Sequence, residues 1–143
     1  MAIIYQKQGH YDHALEIYKS VLDTKIRVCG HDHLDVAKSY NNIGLVYDRQ
    51  GKYEETLEYY QKSLDIKIRV VGGDHPDVAT SFNNIGVVYE NKGDFENALV
   101  QHQKALEIRT RVFGSDHPDV ATSKYNIANL KETQGDLEGA RRE

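Results

Sequence analysis

The chain repeats itself with a period of 42 residues, and this repeat limits the possible folds more than any other feature. Residues 31–72 align with residues 73–114 without a gap, and 22 of the 42 aligned positions are identical. Residues 115–143 begin a third copy, and residues 1–30 carry the end of an earlier one. Units of this length form an array in which neighbours stack, because one unit alone cannot bury its apolar face. We therefore predict a single array of two full and two partial repeats.

Each repeat is predicted to contain two helices. Asp74, followed by Pro76, is typical of a helix N-terminus, where free backbone N–H groups need an acceptor. Apolar or small residues then recur at the helical spacing of one buried face: Phe82, Ile85, Gly86 and Tyr89. Gly93 is predicted to end this first helix and Gly114 the second, since a left-handed glycine often follows a helix. The predicted fold class is an all-α solenoid.

Composition and motifs exclude several functions. The net charge of −4 argues against general binding to nucleic acid, which requires a basic surface. The sequence has no apolar run long enough to span a membrane, and because it does not begin with a charged segment followed by an apolar one, we expect no signal peptide. It lacks the GxSxG, HExxH, CxxC and GxxxxGK[ST] motifs. We expect a cytoplasmic protein without a cofactor that is not an enzyme and binds neither nucleic acid nor membrane.

The histidines and the single cysteine are interpreted as structural residues. Three of the seven histidines recur once per repeat, just before the first helix: His33, His75 and His117. Their spacing separates the imidazoles, whereas a structural zinc ion needs four ligands in one shell, so we expect no metal site. Cys29 lies at the repeat position of Val71 and Phe113, which favours a thiol that fills an apolar slot. A reactive thiol is the alternative.

The repeat resembles the tetratricopeptide repeat. That family's pattern of small and large residues is matched by Ile43, Gly44, Tyr47, Gly51, Tyr53 and Leu64, and by Ala98 and Ala105 in the next copy. The 42-residue length, with the sequences NNIG, GKYEE and KSLDIK, is similar to the longer repeats of kinesin light chains and nephrocystin-type proteins. The resemblance implies a right-handed α-α superhelix and a non-catalytic scaffold for protein interactions.

A polar stripe opposite the apolar face of the first helices is the candidate binding surface. The resemblance implies that this stripe lines a concave groove for a peptide or protein segment. The candidate residues are Lys38, Asn41, Asn42, Leu45, Arg49, Thr80, Asn83, Asn84, Val87, Asn91, Thr122, Tyr125, Asn126 and Asn129. Only Lys38 and Arg49 are basic, which disfavours a clamp for terminal carboxylates or acidic motifs.

Three asparagines on this stripe recur at the full period: Asn42, Asn84 and Asn126. An asparagine amide both donates and accepts, so a ladder of them can clamp a peptide backbone whatever its side chains are. The alternative is that these amides only satisfy nearby backbone groups or improve solubility.

The two ends of the array differ in character. In residues 115–143, charged residues replace apolar ones at packing positions, namely Lys124, Lys131 and Arg141, which is typical of a degenerate capping repeat. Residues 1–30 are predicted to hold the end of a first helix and a complete second helix, from about Tyr11 to Val28, which keeps the apolar residues Leu15, Tyr18, Leu22 and Ile26. Exposed apolar surface of this kind favours association. The alternative function is therefore a self-associating element that forms homo-oligomers through its terminal helices.

Overall fold

The computed structural model describes the backbone of residues 2–142 and the side chains of residues 9–136. These residues form six helices and no strand: α1 (Ala2–Cys29), α2 (Leu34–Arg49), α3 (Tyr53–Val71), α4 (Pro76–Lys92), α5 (Phe95–Phe113) and α6 (Pro118–Arg142). The chain divides into two compact units, Met1–Gly72 with α1 to α3 and Gly73–Glu143 with α4 to α6. The predicted all-α class is confirmed. Over the described ranges, no helix has both the length and the apolar character that a membrane span requires.

Histidines begin the first helix of each repeat. In all three copies the histidine Nδ1 accepts a hydrogen bond of 3.0 Å from the backbone N–H two residues later: His33 from Asp35, His75 from Asp77 and His117 from Asp119. The backbone of His33 and His75 is extended, as an N-cap residue requires. The histidines recur because each supplies the acceptor that the first turn of its helix lacks.

The aspartates expected to cap these helices have another role. Asp74 lies one residue before the cap and accepts a hydrogen bond of 2.6 Å from Nη2 of Arg111. Asp32 accepts one of 2.8 Å from Nε of Arg69 in the same way. The prediction of an aspartate cap was wrong, because the histidine that follows caps the helix. The aspartate carboxylate instead connects the start of one helix to the end of the next.

Glycines at one repeat position behave in two ways. Gly51 and Gly93 have φ values of +75° and +86°, and they end the first helix of each full repeat. Gly9 and Gly135 occupy the same position but lie inside α1 and α6, which continue through them. The sequence predicted two helices within residues 1–30, and the structure has one. A helix tolerates an internal glycine at a cost of about 1 kcal/mol, so the turn forms where helix pairing stabilises it. The repeat boundaries stay a prediction.

The core of the first unit lies between α2 and α3. Its buried residues are Val36, Ala37, Ile43 and Val46 of α2 and Tyr60, Leu64 and Ile66 of α3. Leu22 and Ile26 of α1 pack on Val36, Ala37 and Ile66. Gly44 faces the ring of Tyr60 so closely that a Cβ there would lie 2.6 Å from Cδ1 of the tyrosine. The small residue is therefore required by the close approach of the two helices.

The second unit repeats the packing of α2 on α3 with α4 and α5, and α6 packs on α5. Its buried apolar residues are Val78, Ala79, Ile85 and Val88 of α4, Ala98, Ala105 and Ile108 of α5, and Val120, Ile127 and Leu130 of α6. Buried Arg109 donates a hydrogen bond of 2.8 Å to Oγ of Ser123, which connects α5 to α6. Lys124 and Lys131 are exposed, so neither buries a charge, while the side chain of Arg141 lies outside the described residues.

The cysteine does not fill an apolar slot. Cys29 is exposed, Val71 is half-buried, and Phe113 keeps 36% of its surface accessible. Each is the last residue of its helix, followed by a glycine with positive φ, and this position turns away from the core. The interpretation of Cys29 as a core thiol was wrong.

Candidate peptide-binding surface

Helices α4 and α6 present polar side chains that meet at the surface of the second unit. Nδ2 of Asn126 donates a hydrogen bond of 3.0 Å to Oδ1 of Asn83. Val87 is 40% exposed and Tyr125 is 69% exposed, while the asparagines are half-buried. We call this surface the amide face and define it as Asn83, Asn84, Val87, Tyr125 and Asn126. It combines amide groups with accessible aliphatic and aromatic carbon.

A buried histidine fixes the floor of the amide face. His102 of α5 has no exposed surface, and its Nδ1 lies 3.0 Å from Oδ1 of Asn83. Its Nε2 lies 2.7 Å from Oε1 of Glu90. Gly86 makes room for the ring, since a Cβ there would be 2.9 Å from Nε2. The network holds Asn83 in place from below.

The first unit has a different group at the same repeat position. Tyr60 replaces His102, and Asp48 replaces Glu90. Burial, together with the charge of Asp48, raises the pKa of Tyr60 to about 12, although the charge of Arg49 partly offsets this shift. Burial also raises the pKa of the Asp48 carboxyl, although Arg49 partly offsets this. The histidine network is thus specific to the second unit, and a neutral phenol takes its place in the first.

Every residue predicted to line the groove is accessible. The exposed ones are Lys38, Arg49, Thr80, Val87, Asn91, Thr122, Tyr125 and Asn129, and the half-buried ones are Asn41, Asn42, Leu45, Asn83, Asn84 and Asn126. Thr80 and Thr122 use their hydroxyls within their own helices, donating to the carbonyls of Pro76 and Pro118. Accessibility permits contact with a ligand, and the binding role of these residues stays a prediction.

The hydrogen bond between α4 and α6 differs from the predicted ladder. Asn126 pairs with Asn83, whereas the 42-residue period would relate Asn126 to Asn84. One amide hydrogen of Asn126 is therefore occupied by the protein itself. The side chain of Asn84 makes no hydrogen bond with any residue in the described part of the chain. Asn83 and Asn126 each use part of their amide within the protein, whereas the whole amide of Asn84 is left for a ligand.

Comparisons with known proteins give a consistent result. The tetratricopeptide repeat family profile matches residues 1–67, 49–108 and 77–142. The solved structure of BtubC (BKLC) from P. vanneervenii has a TM-score of 0.78 and 27% identity over 99% of this chain and 56% of its own. A P. anserina protein with nearly identical TPR-like repeats, described as a kinesin light chain, has a TM-score of 0.74 and 20% identity over 97% of this chain and 66% of its own. The chain thus spans less than two thirds of either. No curated protein matches it.

Proposed function

The chain belongs to the tetratricopeptide repeat family, and on that premise we propose that it binds a peptide or protein segment across the amide face. Proteins with this repeat fold are generally scaffolds for protein–protein interaction, and the family is typically non-catalytic. The observation that carries the proposal is the hydrogen bond between Asn126 and Asn83, because it brings amide-bearing side chains of two helices together at the surface. A cytoplasmic location is part of the same proposal.

The chemistry of the amide face favours an uncharged ligand segment. Asn84 can donate to a peptide carbonyl and accept from a peptide N–H. Val87 and Tyr125 offer apolar contact to the ligand's side chains, and an aromatic residue at such a position supplies much of the binding energy in many interfaces. None of the five residues is charged, so we expect an affinity that depends little on salt concentration. The predicted stripe on α2 would offer a surface of its own in the first unit.

The proposal is tested by selecting linear peptides from a displayed random library and measuring their affinity for the parent chain and three variants. Asn84→Ala and Val87→Asp alter the amide face. Val100→Asp is the matched control, since Val100 is 44% exposed and lies on α5 outside that face. We expect Val87→Asp to weaken binding at least about tenfold, or about 1.4 kcal/mol, and Asn84→Ala to weaken it by a smaller factor. Equal effects of Val87→Asp and Val100→Asp would refute the assignment.

A second candidate function, self-association, is favoured by an exposed apolar stripe on α1. Ile17, Val21 and Val28 are 47%, 40% and 77% exposed, and their spacing places them on one side of the helix. The residues that the sequence suggested for this role are half-buried, and two of them, Leu22 and Ile26, pack on the core of the first unit. The proposed contact surface is therefore the opposite stripe of α1.

Sedimentation equilibrium over a wide range of protein concentration tests the second candidate. Association through α1 would raise the mass above the 16.3 kDa of the monomer, and Val21→Lys would return it to that value. Val100→Lys places the same charge on α5 and should leave the association unchanged. A constant monomer mass for the parent chain would eliminate this function and leave the peptide-binding proposal untouched.

A further inference from the structure

We propose that Cys29, His33 and Asp35 form a binding site for a thiophilic divalent cation of the zinc type. The three side chains each offer one ligand atom, and these atoms all lie within 4.8 Å of one another. All three are exposed, so an ion can reach them directly from solvent. They form the one group of three such side chains within the part of the chain that the structure describes. The site shares no residue with the amide face or with the residues Ile17, Val21 and Val28 of α1.

The end of α1 and the start of α2 bring these residues together. Cys29 is the last residue of α1, Gly30 turns the chain with φ +80°, and α2 begins directly after His33. The cap bond from the N–H of Asp35 to Nδ1 of His33 fixes the imidazole beside the first turn. Nδ1 of the same ring lies 3.8 Å from Oδ2 of Asp35, so the imidazole and the carboxylate already face each other beside this turn. The ring orientation is thus set before any ion binds.

The corresponding turn between α5 and α6 shows independently how close the last residue of a helix lies to the capping histidine that follows it. There Phe113 stands at the position of Cys29 and His117 at that of His33. The two rings stack with their centroids 4.0 Å apart and an angle of 13° between their planes. The residue that ends the second helix therefore lies directly against the capping histidine. A cysteine at this position places a sulfur, which can bind a metal ion, next to the imidazole. A phenylalanine places a ring there that cannot.

The donor set selects the class of ion. A thiolate, an imidazole and a carboxylate are the three ligand types that proteins use for zinc, and their combined charge balances the ion. Tetrahedral bonds of 2.0–2.3 Å place such ligands about 3.5 Å apart, so the exposed side chains must close in by about 1 Å. Lys25 lies 3.6 Å from Asp35 and must release it. With three protein ligands the fourth position is open to water.

The spacing of the histidines in the sequence could not predict this site. Imidazoles of different repeats were expected to stay apart, and the proposal requires only one of them. The cysteine and aspartate come from the chain on either side of the turn at Gly30. The thiol distinguishes this turn from the other two, since Val71 of residues 31–72 and Phe113 of residues 73–114 stand at the corresponding position.

The test is a titration of the reduced chain with Co²⁺ and then with Zn²⁺. Cobalt bound by a thiolate gives a charge-transfer absorption in the near ultraviolet that histidine and carboxylate sites elsewhere on the chain cannot produce. We expect this band to saturate at one ion per chain and to disappear on addition of Zn²⁺. Cys29→Val, which copies the second repeat, should remove the band.

Two asparagine variants separate ligation from folding. His33→Asn keeps a good helix cap but removes the imidazole, and it should weaken cobalt binding at least about tenfold. His75→Asn makes the same change where no cysteine stands at the corresponding position, and it should leave binding unchanged. Both variants should retain the parent's helical circular dichroism. The proposal is overturned if the parent shows no thiolate band, or if His33→Asn and His75→Asn bind cobalt equally well.

Discussion

The close approach of α2 and α3 depends on one glycine, Gly44. The variant Gly44→Ala tests this dependence. The added Cβ would lie 2.6 Å from Cδ1 and 2.8 Å from Cε1 of Tyr60, whereas relaxed carbon contacts are about 3.5–4.0 Å. Tyr60 is only 7% exposed, so its ring has little room to move aside. Overpacking of this kind costs about 1–3 kcal/mol, and the better helix propensity of alanine returns about 1 kcal/mol. We expect a net loss of stability of up to about 2 kcal/mol.

The assay is urea unfolding followed by circular dichroism, with Gly135→Ala as the matched control. Gly135 also lies inside a helix, but no atom lies within 4 Å of the Cβ that alanine would add. This control should gain up to about 1 kcal/mol from helix propensity alone. The difference between the two variants therefore isolates the contact with Tyr60, and we expect it to be about 1–3 kcal/mol.

A double-mutant cycle identifies the ring as the cause. Tyr60→Val removes the two atoms that the new Cβ would approach, at the cost of a cavity in the core. In that background Gly44→Ala should stabilise the protein by up to about 1 kcal/mol, so its effect changes sign. If Gly44→Ala stabilises the parent chain as much as Gly135→Ala does, then α2 and α3 do not approach as closely as the structure has them.

Five further variants test three local features by equilibrium unfolding. Gly9→Ala should stabilise the chain by up to about 1 kcal/mol, whereas Gly93→Ala, at φ +86°, should destabilise it by about 1–2 kcal/mol; a loss at Gly9 would contradict a continuous α1. The raised pKa of Tyr60 favours the neutral phenol in the folded state, so its contribution to stability is intact below pH 10 and is lost as the pH rises toward 12. Across that range the free energy of unfolding of Tyr60→Phe should therefore rise by about 2–3 kcal/mol relative to that of the parent chain. Parallel pH profiles of the two proteins would disprove this reasoning. His75→Ala should cost about 1 kcal/mol by removing the N-cap acceptor, and His75→Asn should restore it; no difference between the two would show that the cap bond contributes nothing.

The repeat pattern alone was enough to predict the all-α class and the two helices of each full repeat. Apolar residues such as Ile43 and Ile85 recur at helical spacing, and both are buried. Positive φ at Gly51 and Gly93 follows from a need for left-handed residues that glycine satisfies. These features depend on short stretches of chain, and the sequence contains all the information about them.

The same glycine position shows where local reasoning ends. Gly9 and Gly135 have the composition of a turn but lie within continuous helices, because a turn forms where the two helices it joins can pack together. Cys29 was placed in the core by analogy with Val71 and Phe113, and all three positions turned out to be partly or fully exposed. Repeat position transfers the backbone conformation, but burial depends on what surrounds each copy.

The candidate sites are products of side-chain juxtaposition, which sequence spacing does not encode. The groove residues were found accessible, but the pairing of Asn126 with Asn83 and the burial of His102 beside Glu90 join residues of three different helices. Cys29 and Asp35 likewise meet across a turn, around a histidine held by its cap bond. A sequence periodicity specifies which face of a helix is apolar. Which polar atoms come within hydrogen-bonding or metal-binding distance depends on how the helices pack and how the turns direct them, and only the folded structure contains those distances.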